Sequence, residues 1–160
     1  MQLFNLSRKK EQSVDEFWRE TAEKRGGEIG IVTFATLLGQ SGADILGLPG
    51  LMYTVGGGTV WFEDFEKDTL MARILGGKNK WEKTELSFLK ADVSFTRLVS
   101  RTTALRSIGG GLAPQNTRAV SFLGLFFSTP ALQIGFTQGH SLFFEVMKRD
   151  DMIRFLKPEA

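Results

Sequence analysis

The fold of this chain is decided by a stretch late in the sequence that reads VSFLGLFFSTPALQIGFTQGHSLFFEV, from Val120 to Val146. No charged residue occurs between Arg118 and Glu145, so the run is longer than the roughly 20 apolar residues that a membrane-spanning helix needs. Polar residues and helix breakers interrupt it, namely Gly124, Pro130, Gln133, Gly135, Gln138, Gly139 and His140. Because a lipid-facing helix would tolerate so many breakers poorly, the run is interpreted as β-strands.

Apolar side chains alternate with small or polar ones along the later part of this run, as at Leu132, Ile134 and Phe136. A period of two residues places such a set on one face of a strand. Three antiparallel strands are therefore predicted, over about 119–128, 131–138 and 141–147. The first is apolar on both faces, which predicts a central or strongly curved strand with buried aromatic side chains.

Helices are predicted near both ends of the sequence. Ser13 and Glu16 form a capping box at the start of a helix that ends at Gly26-Gly27, after a polar lead over residues 1–12. Asp150 or Asp151 is expected to cap a second helix that Pro158 stops. About seven residues cannot hold a helix in water alone, so we expect this closing helix to dock across the open end of a sheet or barrel.

The middle of the chain is predicted to be rich in strands. Residues 45–49 are ambiguous, and residues 92–108 fit either a helix or a strand, with a strand favoured because the surroundings are β. The other strands are expected at 28–38, 51–55, 59–65, 69–75 and 81–89, with glycine-rich turns at 56–58 and 76–80.

Composition indicates an ordinary globular protein of 160 residues, 42% hydrophobic and 24% charged. Fourteen phenylalanines accompany a single tyrosine, which predicts much aromatic surface that is buried without a polar group. The absence of cysteine excludes a disulfide framework, a thiolate metal site and a cysteine nucleophile, and it fits a reducing, cytoplasmic location. Arg8-Lys9-Lys10 precedes acidic residues and no apolar core, unlike a secretory signal.

Positive charge is unevenly distributed, although the net charge is only +2. Between Val93 and Phe144 the only charged residues are Arg97, Arg101, Arg106 and Arg118. A one-sided basic face attracts phosphate or an anionic surface. The candidate anion- or membrane-binding residues are Lys78, Lys80, Lys83, Arg97 and Arg101, and the alternative is that these are solvated or paired structural charges.

No pattern in the sequence indicates catalysis, a metal or a cofactor. Neither a phosphate-binding P-loop nor a dinucleotide-binding glycine motif occurs. His140 is the only histidine and lies in a predicted tight turn. The acidic residues Glu63, Asp64, Glu66 and Asp68 lack the order of a calcium loop, so they are expected to form a solvated hairpin end.

The order of hairpins from about residue 48, a final meander and the tail FFEVMKRDDMIRFL from Phe143 to Leu156 resembles the pleckstrin-homology-like superfamily, particularly bacterial and GRAM-type members. The resemblance covers roughly 48–157. It implies a seven-stranded, strongly bent sheet plugged at one end by a helix, and binding of phosphoinositides, peptides or itself. Phe155 stands where family helices often carry tryptophan, and the family's basic lipid-binding pattern in the first hairpin is not present in clean form. The expected layout is residues 1–47 as a helix-and-strand extension packed on the same domain, and 48–160 as the pleckstrin-homology-like domain.

The expected function is that of a non-enzymatic binding or scaffold domain, self-associating through an exposed strand edge. Two alternatives stay open: a peripheral module on anionic membranes, and a barrel that holds a small apolar ligand. Protein or self-association is the expected partner class, an anionic lipid surface is a further one, and nucleic acid is not expected. No cofactor is expected.

Overall fold

The computed structural model of the chain describes residues 3–65 and 84–157, with side chains from Val14 onward. The helices are α1 (Leu3–Arg25), α2 (Arg101–Ile108), α3 (Gly124–Phe127) and α4 (Arg149–Leu156). The strands are β1 (Ile29–Gln40), β2 (Ile45–Val55), β3 (Thr59–Asp64), β4 (Glu85–Leu89), β5 (Val93–Val99), β6 (Ala131–Phe136) and β7 (Ser141–Val146). Short 3-10 turns lie at Lys90–Asp92 and Pro114–Asn116.

The seven strands form one antiparallel sheet in the order β4-β3-β2-β1-β7-β6-β5. The sheet is strongly curled, because the ring centroids of Phe88 on β4 and Phe136 on β6 lie only 5.2 Å apart. Five strand spacings separate these strands, which in a flat sheet would be about 24 Å. The predicted mainly β class, with a bent antiparallel sheet and a helix near each end, is confirmed as a curled half-barrel.

The concave face of the half-barrel holds the main core. Phe62 of β3 meets Phe144 of β7 there, with ring centroids 5.5 Å apart. Helix α4 closes this core with the fully buried side chains of Met152 and Leu156. The predicted docking of a short closing helix is therefore confirmed, although α4 begins at Arg149, and both aspartates lie in its first turn instead of at the cap.

The convex face is covered by two further helices. Helix α2 places Ala104 and Ile108 against Leu38 and Phe143 in a second buried cluster. Helix α1 lies elsewhere on the sheet, with Trp18 edge-on to Tyr53 at 5.4 Å. Both faces of the sheet are therefore used for packing.

The predicted strand over 119–128 is wrong. The segment instead forms an extended approach and the short helix α3, and its large side chains are exposed. Val120 donates a backbone hydrogen bond to the carbonyl of Leu98, but β5 takes β6 as its strand partner. The physical reason is visible in the sequence, because this part of the run is apolar without alternation. A strand with no distinct core-facing side has nothing to fix its register against a neighbouring strand.

Three boundaries also differ from the predictions. Helix α1 begins at Leu3, so the polar lead over 1–12 is wrong for the described residues. Residues 92–108 divide into β5 and α2, and the side chain of Ser100 caps α2 by accepting a hydrogen bond from the Thr103 amide at 3.1 Å. The ambiguous residues 45–49 belong to β2. The predicted strand at 69–75 and turn at 76–80 lie outside the described residues.

Substituting Met152→Ala is expected to lower the free energy of unfolding by about 2–4 kcal/mol, because it leaves a cavity where α4 closes the concave core. Urea denaturation measures the loss. The matched control is Arg154→Ala on the exposed side of the same helix, which should leave the midpoint nearly unchanged. Equal effects of the two substitutions would show that α4 does not close the core.

Candidate functional site

The segment Val120–Ser128, called here the phenylalanine loop, exposes four large apolar side chains within six residues. Phe122 is 75% exposed, Leu123 69%, Phe126 72% and Phe127 87%. The rings of Phe122 and Phe126 contact each other edge to face, with centroids 5.3 Å apart. Single exposed apolar residues are normal on protein surfaces, but a contiguous group marks an interaction site.

Hydrogen bonds within the loop define its shape. The Ser128 amide donates to the Gly124 carbonyl at 3.2 Å, and the Leu125 amide donates to the Ser121 carbonyl at 3.2 Å. The Ser121 hydroxyl accepts from the Gly124 amide at 3.2 Å. A side chain at Gly124 would place its Cβ 2.6 Å from Val120 Cγ1. The loop therefore satisfies backbone groups internally while its apolar side chains face outward.

A buried polar cluster, called here the arginine clamp, holds the stem of the loop on the convex face. Arg97 donates from Nη1 to the Thr117 carbonyl at 2.5 Å and to the Thr117 hydroxyl at 2.7 Å. Thr117 in turn donates to Gln133 Oε1 at 2.5 Å, and Gln133 Nε2 donates to the Pro114 carbonyl at 2.8 Å and to Ser141 Oγ at 3.0 Å. Thr117, Gln133 and Ser141 are buried, and such satisfied networks specify one backbone position.

The position of Arg97 is itself set by packing. Its guanidinium lies 4.8 Å from the ring centroid of Phe95. The ring of Phe95 occupies the space over Gly135 of β6, where an added Cβ would come within 2.2 Å of it. Because β6 carries a glycine at this point, the Phe95 ring fits against the sheet, where the Arg97 guanidinium contacts it.

An apolar groove of about 250 Å³ lies on the same side of the sheet as the end of the loop. Its lining includes Phe34, Phe65, Met147 and Thr129, and Thr129 directly follows the loop. The rings of Phe34 and Phe65 are 5.9 Å apart, and both are exposed, as is Met147. The exposed apolar surface is therefore not confined to the loop.

The residues predicted from sequence to bind anions do not share one environment. Arg97 is half-buried and engaged in the clamp. Arg101 starts α2, is exposed, and pairs with Glu145 at 3.4 Å. Lys78, Lys80 and Lys83 lie outside the described residues, so their joint patch stays a prediction. Arg118, not among the candidates, is exposed two residues before the loop.

A second cluster of charged and polar residues lies beneath α1. The Tyr53 hydroxyl donates to Glu63 and accepts from Arg25 Nε at 3.1 Å. Arg25 also pairs with Glu63 at 3.4 Å and Glu85 at 3.2 Å, and it lies 3.6 Å from the Trp61 ring centroid. Burial and the hydrogen bond to Glu63 raise the pKa of Tyr53. The phenol is thus held protonated, and the cluster fastens α1 to β2 and β3.

Other features of the described residues bear on function. Asp64 accepts a hydrogen bond from the Thr84 amide at 3.1 Å, whereas Glu66 and Asp68 of the acidic hairpin lie outside the described ranges. Over 3–65 and 84–157, no three histidine, aspartate or glutamate side chains converge as a metal site would require. Within the same ranges, none of the helices combines the length and hydropathy needed to cross a bilayer.

Comparisons with known proteins identify no relative. No protein-family model matches the chain, and neither a curated protein nor a solved structure is significantly similar to it.

Substituting Thr117→Val is expected to lower the free energy of unfolding by about 1–3 kcal/mol, because it removes one hydroxyl from the buried clamp at nearly constant volume. Exchange of the Val120 amide hydrogen, bonded to Leu98, should also accelerate. Hydrogen exchange and urea denaturation measure both effects. Thr102→Val, on the exposed side of α2, is the control, and equal behaviour of the two variants would contradict the role of the clamp.

Alkaline pH is expected to destabilise the fold through Tyr53. Its pKa is raised above the ordinary value of 10.0 in the folded state, so the unfolded chain releases the proton first, and stability falls as pH rises above about 10. Tyr53 is the only tyrosine, so the tyrosinate absorbance band reports it alone. Ionisation at the same pH in buffer and in denaturant would contradict the buried hydrogen bond.

Proposed function

We propose that this chain is a binding domain that docks on anionic membrane surfaces with the phenylalanine loop as its insertion element. The observation that carries the proposal is the exposure of Phe122, Leu123, Phe126 and Phe127 on a loop whose stem is fixed by the arginine clamp. Apolar and aromatic side chains of this kind enter the boundary between headgroups and acyl chains by roughly 5–10 Å.

The charges around the loop support a negatively charged target. Every charged residue from Val93 to Phe144 is an arginine. Arg118, at the base of the loop, and Arg106, at the end of α2, are exposed. A basic residue near an anionic leaflet contributes about 1 kcal/mol to binding. Because the segment contains no acidic residue, nothing within it opposes that attraction.

Fixing the stem also favours membrane docking energetically. A flexible apolar loop would lose conformational entropy on binding, and this loss offsets part of the binding free energy. Here the backbone turns of the loop are already hydrogen-bonded, and the clamp holds Thr117 in place before contact. The apolar groove at Phe34, Phe65 and Met147 offers further surface that contact would cover.

The same proposal extends to the fold type and location. The order of seven strands, with a helix closing the concave face, supports the pleckstrin-homology-like type that the sequence resembles. The proposed location is the cytoplasmic leaflet, which carries the anionic lipids of a cell membrane. A peripheral domain of this kind needs no catalytic group.

Cosedimentation of the full chain with vesicles tests the proposal. Binding is expected at low salt to phosphatidylcholine vesicles that contain phosphatidylserine, weaker at high salt, and absent without the anionic lipid. The double substitution Phe126→Ser and Phe127→Ser should weaken binding by about thirtyfold or more, because two apolar side chains no longer leave water. Arg118→Gln should weaken it by about fivefold.

The matched control replaces two exposed apolar residues elsewhere, Ile45→Ser and Leu46→Ser, which are 58% and 49% exposed on β2. This pair should leave vesicle binding unchanged. No pelleting at low salt, or equal pelleting of both double variants, would refute the proposal. If light scattering shows a dimer that only the Phe126 and Phe127 variant dissociates, and vesicles do not bind, the loop contacts another protein copy instead.

A further inference from the structure

A cleft of about 300 Å³ opens where the half-barrel does not close on itself. It lies between β4 and the β6–β7 turn, and residues from several parts of the chain line it. Gln40 ends β1, Phe88 lies on β4, Asp92 on the β4–β5 connection, and Gln138 and His140 on the β6–β7 turn. Cavities near 300 Å³ are at the small end of the range for ligand sites.

One wall of the cleft is aromatic. The imidazole of His140 stacks on the ring of Phe136, with centroids 4.8 Å apart and planes inclined by 23°. Phe88 meets Phe136 edge-on at 5.2 Å. Phe136 is buried, whereas His140 is only half-buried. Because His140 also lines the cleft, part of its imidazole is accessible to a molecule that enters.

Backbone and side-chain hydrogen bonds hold this wall in place from two sides. The Thr137 amide donates to the Asp92 carbonyl at 3.0 Å, which ties the turn to the β4–β5 connection. Gln115 Nε2 donates to the Gly139 carbonyl at 2.7 Å from the other side. Within the turn, the Phe136 amide donates to the His140 carbonyl at 2.9 Å. A wall fixed in this way needs little reorganisation when a ligand binds.

The backbone carbonyls of the cleft take part in the turn, but its polar side chains have no partner within the described ranges. Among the described residues, the side chains of Gln40, Asp92, Gln138 and His140 take part in none of the hydrogen bonds or ion pairs. Among the described residues that line the cleft, Asp92 is the charged one. The cleft therefore combines an aromatic wall with hydrogen-bond acceptors and a negative charge.

We propose that this cleft binds a small protonated aromatic amine, such as a one- or two-ring molecule of about a dozen non-hydrogen atoms. The ring stacks on the accessible part of the His140 imidazole beside Phe88, as aromatic pairs prefer offset or edge contacts. The ammonium group donates to the Asp92 carboxylate and to the amide oxygens of Gln40 and Gln138. An anionic analogue of the same ring is disfavoured because it meets Asp92.

The single histidine of the chain makes the cleft directly observable. The ring resonances of His140 in the full-length chain can be followed by NMR during titration with tryptamine, and separately with indole-3-acetate as the anionic counterpart. A saturable shift at millimolar tryptamine is expected, with indole-3-acetate binding at least about fivefold more weakly. Asp92→Asn should weaken the binding of tryptamine by about fivefold, so that the affinities of the two compounds become similar.

The matched control is Asp15→Asn, an exposed carboxylate on α1, which should leave the tryptamine titration unchanged. No second reporter, such as quenching of the ligand's fluorescence, is needed, because the His140 signal also verifies that the turn is folded. The absence of a saturable shift with tryptamine, indole-3-acetate binding as tightly, or an unaltered Asp92→Asn titration would each overturn the proposal.

Discussion

The curl of the sheet is the constraint on which the rest of the molecule depends. Phe62 meets Phe144, and Phe88 meets Phe136, across the concave face, although in a flat sheet these strands would be far apart. The contacts bury phenylalanines that have no polar group to satisfy. They also create a seam between β4 and the β6–β7 turn, because seven strands do not complete a barrel here. The cleft at His140 is the direct consequence of that seam.

On the convex face, side chains of the sheet fix the position of a loop that is not part of the sheet. Gln133 lies on β6 between residues that face the core, so its side chain points to the opposite face. There it accepts from Thr117 and donates to the Pro114 carbonyl, and Arg97 from β5 completes the arrangement. An unpaired amide or guanidinium at this depth would cost more than a paired one contributes. The stem therefore has one favourable position, and the phenylalanine loop begins from it.

Alternation was a reliable guide to the fold where it existed. Leu132, Ile134 and Phe136 do face the concave core, as their two-residue period indicates. The ambiguous residues 92–108 carried two overlapping patterns because they contain two elements, and Ser100 between them is a capping residue whose role depends on the helix that follows. The sequence could not reveal that Arg97 is engaged inside the fold, because its partner Thr117 is 20 positions away, and Gln133, which holds Thr117, is 36 positions away. From its charge alone, Arg97 is predicted to lie on the surface.

The error at 119–128 and the candidate site have the same origin. Hydrophobicity indicates that a segment avoids water, but it does not specify what covers the segment. For β6 and β7 the alternating pattern provides the answer, since one face of each strand packs against the core of the same chain. Phe122, Leu123, Phe126 and Phe127 have no such periodicity, and α4 already closes the concave core with Met152 and Leu156. With that space filled, the side chains remain exposed on a hydrogen-bonded loop. Keeping so much apolar surface in water is unfavourable in isolation, and contact with an apolar phase outside the chain would remove the cost.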